Sequence, residues 1–265
     1  MLRQRIVTAA ILAPLMIAGL FGLDGGAFAL FTGGVVALAA WEWANLAGIT
    51  RWVPRLAYVA VVVALMIAGW VSGAVNAAWP LWLALGGWLT SVYWVASYPE
   101  GGHQWRSPTG RALVGLWVLL PCWAGFVQLR GDGLEWLLYV LLLVWLADIG
   151  AYFAGRRFGR RKLAPRVSPG KSWEGVYGGM AATALLAASY AVILPLGGVE
   201  ALWLVVATLL ITLVSVLGDL LESLFKRWRG IKDSGSLLPG HGGILDRIDS
   251  LTAAVPLFAL LLLWL

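Results

Sequence analysis

Charge is scarce in this chain. Of its 265 residues only 12% are Asp, Glu, Lys or Arg, about half the share of an average soluble domain, and that deficit excludes an ordinary soluble fold. Cysteine is nearly absent: Cys122 stands alone, so no internal disulfide can form. With His103 and His241 the only histidines, no Cys/His zinc cluster can be assembled either. Any metal must therefore be held by oxygen. Low-complexity segments and internal repeats are missing as well. What fills the chain is apolar, 61% hydrophobic with a mean hydropathy of +0.85, and it reads as an all-α, polytopic integral membrane protein. The net charge of +6 points to anionic headgroups or a polyanionic substrate; nothing in the residues calls for nucleic acid.

A membrane span needs about 20 apolar residues. By that measure nine helices fall near residues 6–22, 26–48, 56–74, 77–97, 111–129, 134–154, 173–195, 199–222 and 249–265. Turn residues such as Asp24-Gly25-Gly26, Tyr98-Pro99 and Gly131-Asp132-Gly133 separate them. Arg3 and Arg5 before an apolar run, with Ala27-Phe28-Ala29 beyond it, also have the form of a cleavable signal; a signal-anchor opening a multispanning chain is the preferred reading. With nine spans, every Lys and Arg except Arg130 falls on one side. The positive-inside rule then puts the N-terminus in the cytoplasm and the C-terminus outside, with the large polar loops 155–172 and 223–248 cytoplasmic. Residues 1–130 form an N-terminal set of spans, and 131–265 a C-terminal catalytic region that carries both loops. The 17 Trp include Trp41, Trp43, Trp52, Trp79, Trp105 and Trp173 near span ends, where they read as interfacial anchors.

Acids at the ends of spans are costly in lipid and need a partner or a purpose. Asp148, Asp219, Asp246 and Asp249 all fall at the expected cytoplasmic ends of spans, beside the basic loops. Plainer readings exist for each: Asp249 as a helix cap, Asp219 and Lys226 as an ion-paired helix end bridged by Glu222, Asp148 as a hydrogen-bond partner of a neighbouring helix. Four acids on one side with no matching set opposite are better explained by a cation site. Glu42, between Trp41 and Trp43, reads as an interfacial residue, and His103 as a loop residue. Two basic stretches would handle phosphate. In the first, Ser168-Pro169-Gly170-Lys171-Ser172 ends like a P-loop but has Pro165 where that motif needs Gly; Ser172 would cap the seventh helix, with Lys171 and the free amides as an anion seat. In the second, Lys226, Arg227, Lys232 and Arg247 surround the turn Pro239-Gly240-His241-Gly242-Gly243, whose backbone can approach a ligand closely. His241 reads either as a phosphate donor or as a turn residue satisfied by backbone.

The motif Ser223-x-Phe225-Lys226-Arg227, then Lys232-Asp233-x-Gly235, then His241-Gly242-Gly243-Ile244-x-Asp246-Arg247-Ile248-Asp249 resembles the signature of the CDP-diacylglycerol synthases, or phosphatidate cytidylyltransferases. Trp145-x-x-Asp148-x-x-Ala151-Tyr152-x-x-Gly155 and Ser168-Pro169-x-Lys171-Ser172-x-Glu174-Gly175 are similar to further blocks of that family, with Ser172 where Thr is usual. The resemblance implies a homodimeric enzyme of the bacterial cytoplasmic (inner) membrane, its site facing the cytoplasm. It would make CDP-diacylglycerol from CTP and phosphatidate with Mg2+ and a monovalent cation such as K+. The implied metal ligands are Asp219 and Asp246, with Asp249 and Asp148 beside them; Lys226 and Arg247 join the two ligands in catalysis. Lys171, Ser172, Arg227, Lys232, His241, Gly242 and Gly243 would bind substrate.

Three other readings compete. An anion transporter would keep its polar residues near the midplane on broken helices, within repeats. Another CTP-dependent lipid or prenol kinase or cytidylyltransferase would share the phosphate chemistry but not the order and spacing of the signature. A CDP-alcohol phosphotransferase would need a denser set of Asp on adjacent helices.

Overall fold

In the computed structural model of the chain, residues 2–264 are described. Among them run nine α-helices: α1 (Leu2–Gly22), α2 (Gly25–Leu46), α3 (Trp52–Val71), α4 (Trp79–Ala96), α5 (Pro108–Asp132), α6 (Leu134–Phe158), α7 (Trp173–Ile193), α8 (Gly198–Arg229) and α9 (Leu245–Leu262). Every apolar run named above is helical. Of the nine, α2, α3, α5, α6, α7 and α8 are long and apolar enough to cross a membrane. α9 carries Asp246, Arg247 and Asp249 in its first two turns. Leu265, the end of the expected ninth span, and the side chains of Arg3 and Arg5 lie outside what is described.

The helices extend further at the polar ends than the apolar runs do. α8 continues past 222 to Arg229, because no residue there opposes a helix until Gly230, which caps it in the left-handed region at φ 67°. α6 likewise runs through Arg156 and Arg157. The expected loop 155–172 is thus mostly a helix end and a two-stranded antiparallel hairpin, β1 (Lys162–Ala164) and β2 (Ser168–Ser172), a small departure from an all-α fold. The expected loop 223–248 shrinks to 230–244.

α9 is the axis of the bundle, with every residue from Ser250 to Leu260 buried. Pro256 breaks its backbone ladder where α5 comes closest: a Cβ on Gly125 would lie 2.8 Å from the Pro256 Cα. α6 and α7 meet along small residues, since a Cβ on Gly178 would fall 2.2 Å from the Ala154 Cβ and one on Gly179 2.9 Å from the Ala147 oxygen. Such stripes let backbones approach where lipid offers no hydrophobic drive to associate. Buried hydroxyls add hydrogen bonds between helices: Thr183 pairs with Thr212 at 2.8 Å, and Tyr139 with Thr208. Outward, Leu30, Val61, Leu83, Leu185 and Val192 are exposed, as expected for a surface solvated by acyl chains.

Two of the expected interfacial tryptophans are core residues instead. Trp43 and Trp105 are buried. The Trp43 indole donates to the Arg111 carbonyl at 2.8 Å, and both rings stack edge-on against Phe225 of α8. Trp52 and Trp79 do lie on the outside.

Candidate active site

The polar ends of α6, α8 and α9 converge with the hairpin and the 230–244 segment. Ser172 caps α7, its Oγ accepting from the Gly175 amide at 3.2 Å. Glu174, two residues on, accepts from the Arg160 and Arg161 amides at 3.0 and 3.2 Å, and Arg227 of α8 donates to the Val167 carbonyl at 3.1 Å. These bonds fix β2, and β2 delivers Lys171. Its ammonium meets Asp219 of α8 at 2.7 Å and lies within electrostatic reach of Asp148. Asp219 also accepts from Ser223 at 3.1 Å.

A second lysine-centred cluster lies one to two turns further along α8. Lys226 donates to Glu222 at 2.7 Å and to Asp246 of α9 at 2.8 Å, with all three side chains almost buried. The second Asp246 oxygen accepts from the Ser234 amide at 3.0 Å, the Ser234 hydroxyl at 2.9 Å and the Gly243 amide at 2.8 Å. Asp246 precedes the apolar run that begins at 249. Burial alone would raise its carboxyl, but the bonds from Lys226, Gly243 and Ser234 outweigh burial and hold it below the ordinary carboxylate range. Asp249 stands between the clusters, in electrostatic contact with Asp219, Glu222 and Lys226. Because α9 begins at Leu245, Asp249 lies a turn inside the helix, which removes the capping reading.

The glycine-rich turn folds inward. Leu238 and Gly242 bridge across it, Gly240 and Gly242 take φ of 78° and 82°, and the His241 amide bonds back to Leu238. The amides of Gly243 and His241, expected to face phosphate, are thus engaged within the protein. The His241 carbonyl accepts from Arg247 at 2.7 Å. Arg227, Lys232 and Arg247 are exposed on this face. Two residues were not anticipated. Ser234 is buried beneath Asp246. Glu42, read as interfacial, is instead fully buried at 0% exposure, with its Oε2 accepting from the Leu245 amide at 2.8 Å and the Ser234 hydroxyl at 3.2 Å.

Among the described residues, no three acids or histidines stand close enough to hold a metal ion as arranged: Asp219 and Asp246 are each met by a lysine. The donors nonetheless fit Mg2+. They are hard carboxylate oxygens, they outnumber the ammonium groups that meet them, and the Glu222 Oε1 is buried without a partner.

Beside Lys171 opens a cavity of about 390 Å3 lined by Asp148, Tyr152, Arg156 and Ser172. It shares Leu163, Val176 and Val216 with an apolar groove of about 560 Å3 between α4, α7 and α8. A helical membrane bundle with a lysine-lined polar cavity beside an apolar groove is an arrangement suited to a lipid-modifying enzyme. The chain belongs to the cytidylyltransferase family, whose model matches residues 3–265. A phosphatidate cytidylyltransferase of Pseudomonas aeruginosa is 53% identical over 270 residues, covering 99% of this chain and 97% of that protein. One from Haemophilus influenzae is 40% identical over 282 residues, 98% of each.

Proposed function

We propose that this protein transfers the cytidylyl group of CTP to phosphatidate, giving CDP-diacylglycerol and pyrophosphate, as a step of phospholipid biosynthesis. The observation that carries the lipid half of this reading is that the Lys171 cavity and the apolar groove adjoin, with Leu163, Val176 and Val216 lining both. A phosphate beside Lys171 places attached acyl chains along Leu213 and Leu217, facing the bilayer. The nucleotide half rests on the family and on the second lysine cluster.

An ionised phosphatidate oxygen attacks the α-phosphorus of CTP. One P–O bond forms, the bond from the α-phosphorus to the bridging oxygen breaks, and pyrophosphate leaves with the electron pair. The nucleophile is already ionised at neutral pH, so no general base is required; positioning and charge neutralisation carry the rate. Lys171 and Ser172 seat one phosphate, while Lys226, Arg227, Lys232 and Arg247 gather the others, with His241, Gly242 and Gly243 forming the floor. Asp219, Asp246, Asp249 and Asp148 would hold Mg2+, which supplies charge neutralisation at the phosphate oxygens when bound. Lys171 and Lys226 meet these carboxylates and would be available to phosphate were a cation held there.

The protein is read as spanning the cytoplasmic membrane nine times with this face inward, and as a homodimer. Pyrophosphate release by folded, detergent-solubilised protein tests the reaction. Release that needs CTP, phosphatidate and Mg2+ together is expected; release indifferent to phosphatidate, or none, refutes it.

A further inference from the structure

We propose that Glu42, on α2, is a positioning residue that holds the Asp246 carboxylate in place through Ser234 and the start of α9. This rests on the reading of Asp246 as a metal ligand.

Glu42 lies far from the signature segment in sequence yet touches it at three points. Its Oε2 takes the amide of Leu245, the residue before Asp246, at 2.8 Å, and the Ser234 hydroxyl at 3.2 Å. That same hydroxyl stands 2.9 Å from Asp246 Oδ2. Its single proton is shared between the two carboxylate oxygens, so the positions of both are tied to one hydroxyl. The third contact is steric. A Cβ on Gly235 would lie 2.3 Å from Glu42 Oε1, and one on Gly243 2.4 Å from Oε2, so the segment is wrapped around this carboxylate at a distance only glycine permits. One turn along α2, Asn45 donates to the Ser234 carbonyl at 3.4 Å and accepts from Arg229 at 3.0 Å.

Among the described residues Glu42 forms no ion pair, with Arg55 only within electrostatic reach, and burying a carboxylate so placed is costly. Filling space between α2 and the loop would be done at lower cost by Leu or Met. Glu42 contributes what an apolar side chain lacks, an acceptor for Leu245 and Ser234 that sets where Asp246 points. Partners that orient ligands typically change metal affinity about 10–100-fold when altered.

The test compares wild type with Glu42→Gln, which keeps the shape and one acceptor oxygen, and with Ser234→Ala, which removes only the shared hydroxyl. Two readouts are taken. One is the midpoint of the thermal stabilisation that Mg2+ and CTP give in the absence of phosphatidate. The other is hydrogen exchange of residues 233–245 in metal-free protein. For Glu42→Gln the Mg2+ midpoint rises about tenfold or more, and exchange across 233–245 quickens while the α6–α7 region is unchanged; Ser234→Ala moves both in the same direction. A wild-type response with unchanged midpoints in both variants overturns this proposal alone. Uniform destabilisation of the whole bundle by both variants, without a midpoint shift, also overturns it by making Glu42 a packing residue. No Mg2+ response in wild type overturns the metal reading and this proposal with it.

Discussion

Replacing Lys226 by Met isolates the charge at the centre of the second cluster, because Met keeps most of the stem and removes the ammonium. Lys226 is 14% exposed and its partners Glu222 and Asp246 are 2% and 9% exposed, so water cannot substitute for it. Breaking a buried pair by removing one partner costs about 3–5 kcal/mol, since the remaining charge is left uncompensated. Here two carboxylates are stranded with Asp249 near them. The cost is moderated at Asp246, which keeps its bonds from Ser234 and Gly243, and concentrated at Glu222, whose Oε1 is buried without a hydrogen-bond partner. We therefore expect a loss of about 3 kcal/mol. At roughly 2–4 °C per kcal/mol for a domain of 150–250 residues, the apparent melting temperature in detergent should fall by about 10 °C. Adding Glu222→Gln removes the stranded charge and should recover more than half of that fall. Scanning fluorimetry on metal-free protein reads both. A single variant melting within about 2 °C of wild type, or a double variant melting lower still, would refute the view that this cluster is a closed ionic unit.

Asp246→Asn should abolish turnover while membrane insertion and gel-filtration behaviour stay as in wild type; near-normal activity would remove Asp246 from the metal site. Leu213→Trp, on the exposed side of the apolar groove, should raise KM for phosphatidate at least about fivefold and leave KM for CTP unchanged. Equal effects on both would disconnect the groove from the lipid. Gly178→Val forces a side chain into Ala154 and should destabilise by about 1–3 kcal/mol, read as a lower melting temperature with KM values preserved in the surviving enzyme.

The apolar runs announced the helices because a span must satisfy its backbone internally and shield it with apolar side chains, and both demands are written in composition. Helix ends were less legible. Hydropathy stops near Glu222, but the backbone continues until Gly230 offers a left-handed exit, so Lys226 and Arg227 sit on a rigid helix rather than a loop. Trp43 and Trp105 show a second limit: a Trp near a span end suits the interface and the core equally, and only the neighbouring Phe225 decides. The acids were legible as a group because each is out of place in lipid. Glu42 met the same criterion, an acid inside an apolar run with no cation at helical spacing on α2, yet its partners are the Ser234 hydroxyl and a backbone amide that no pattern in α2 announces. The turn at 239–243 was recognisable by its glycines; that it closes around Asp246 depends on Ser234 and Glu42, which reach it from opposite ends of the chain.

The burial of α9 bears directly on the chemistry. A helix carrying Asp246 and Asp249 would ordinarily drift to water and take its charges apart from Asp219 and Glu222 of α8. It cannot, because α9 is enclosed from Ser250 to Leu260 and α8 meets it at Gly218, where a Cβ would lie 2.6 Å from the Asp249 carbonyl. Packing therefore holds like charges together against their repulsion, and the two lysines offset only part of it. A site kept in that condition would favour a species that brings positive charge. The apolar axis of the bundle and the charged face at its end are in this sense one device: the first fixes the distance between the carboxylates that the second presents.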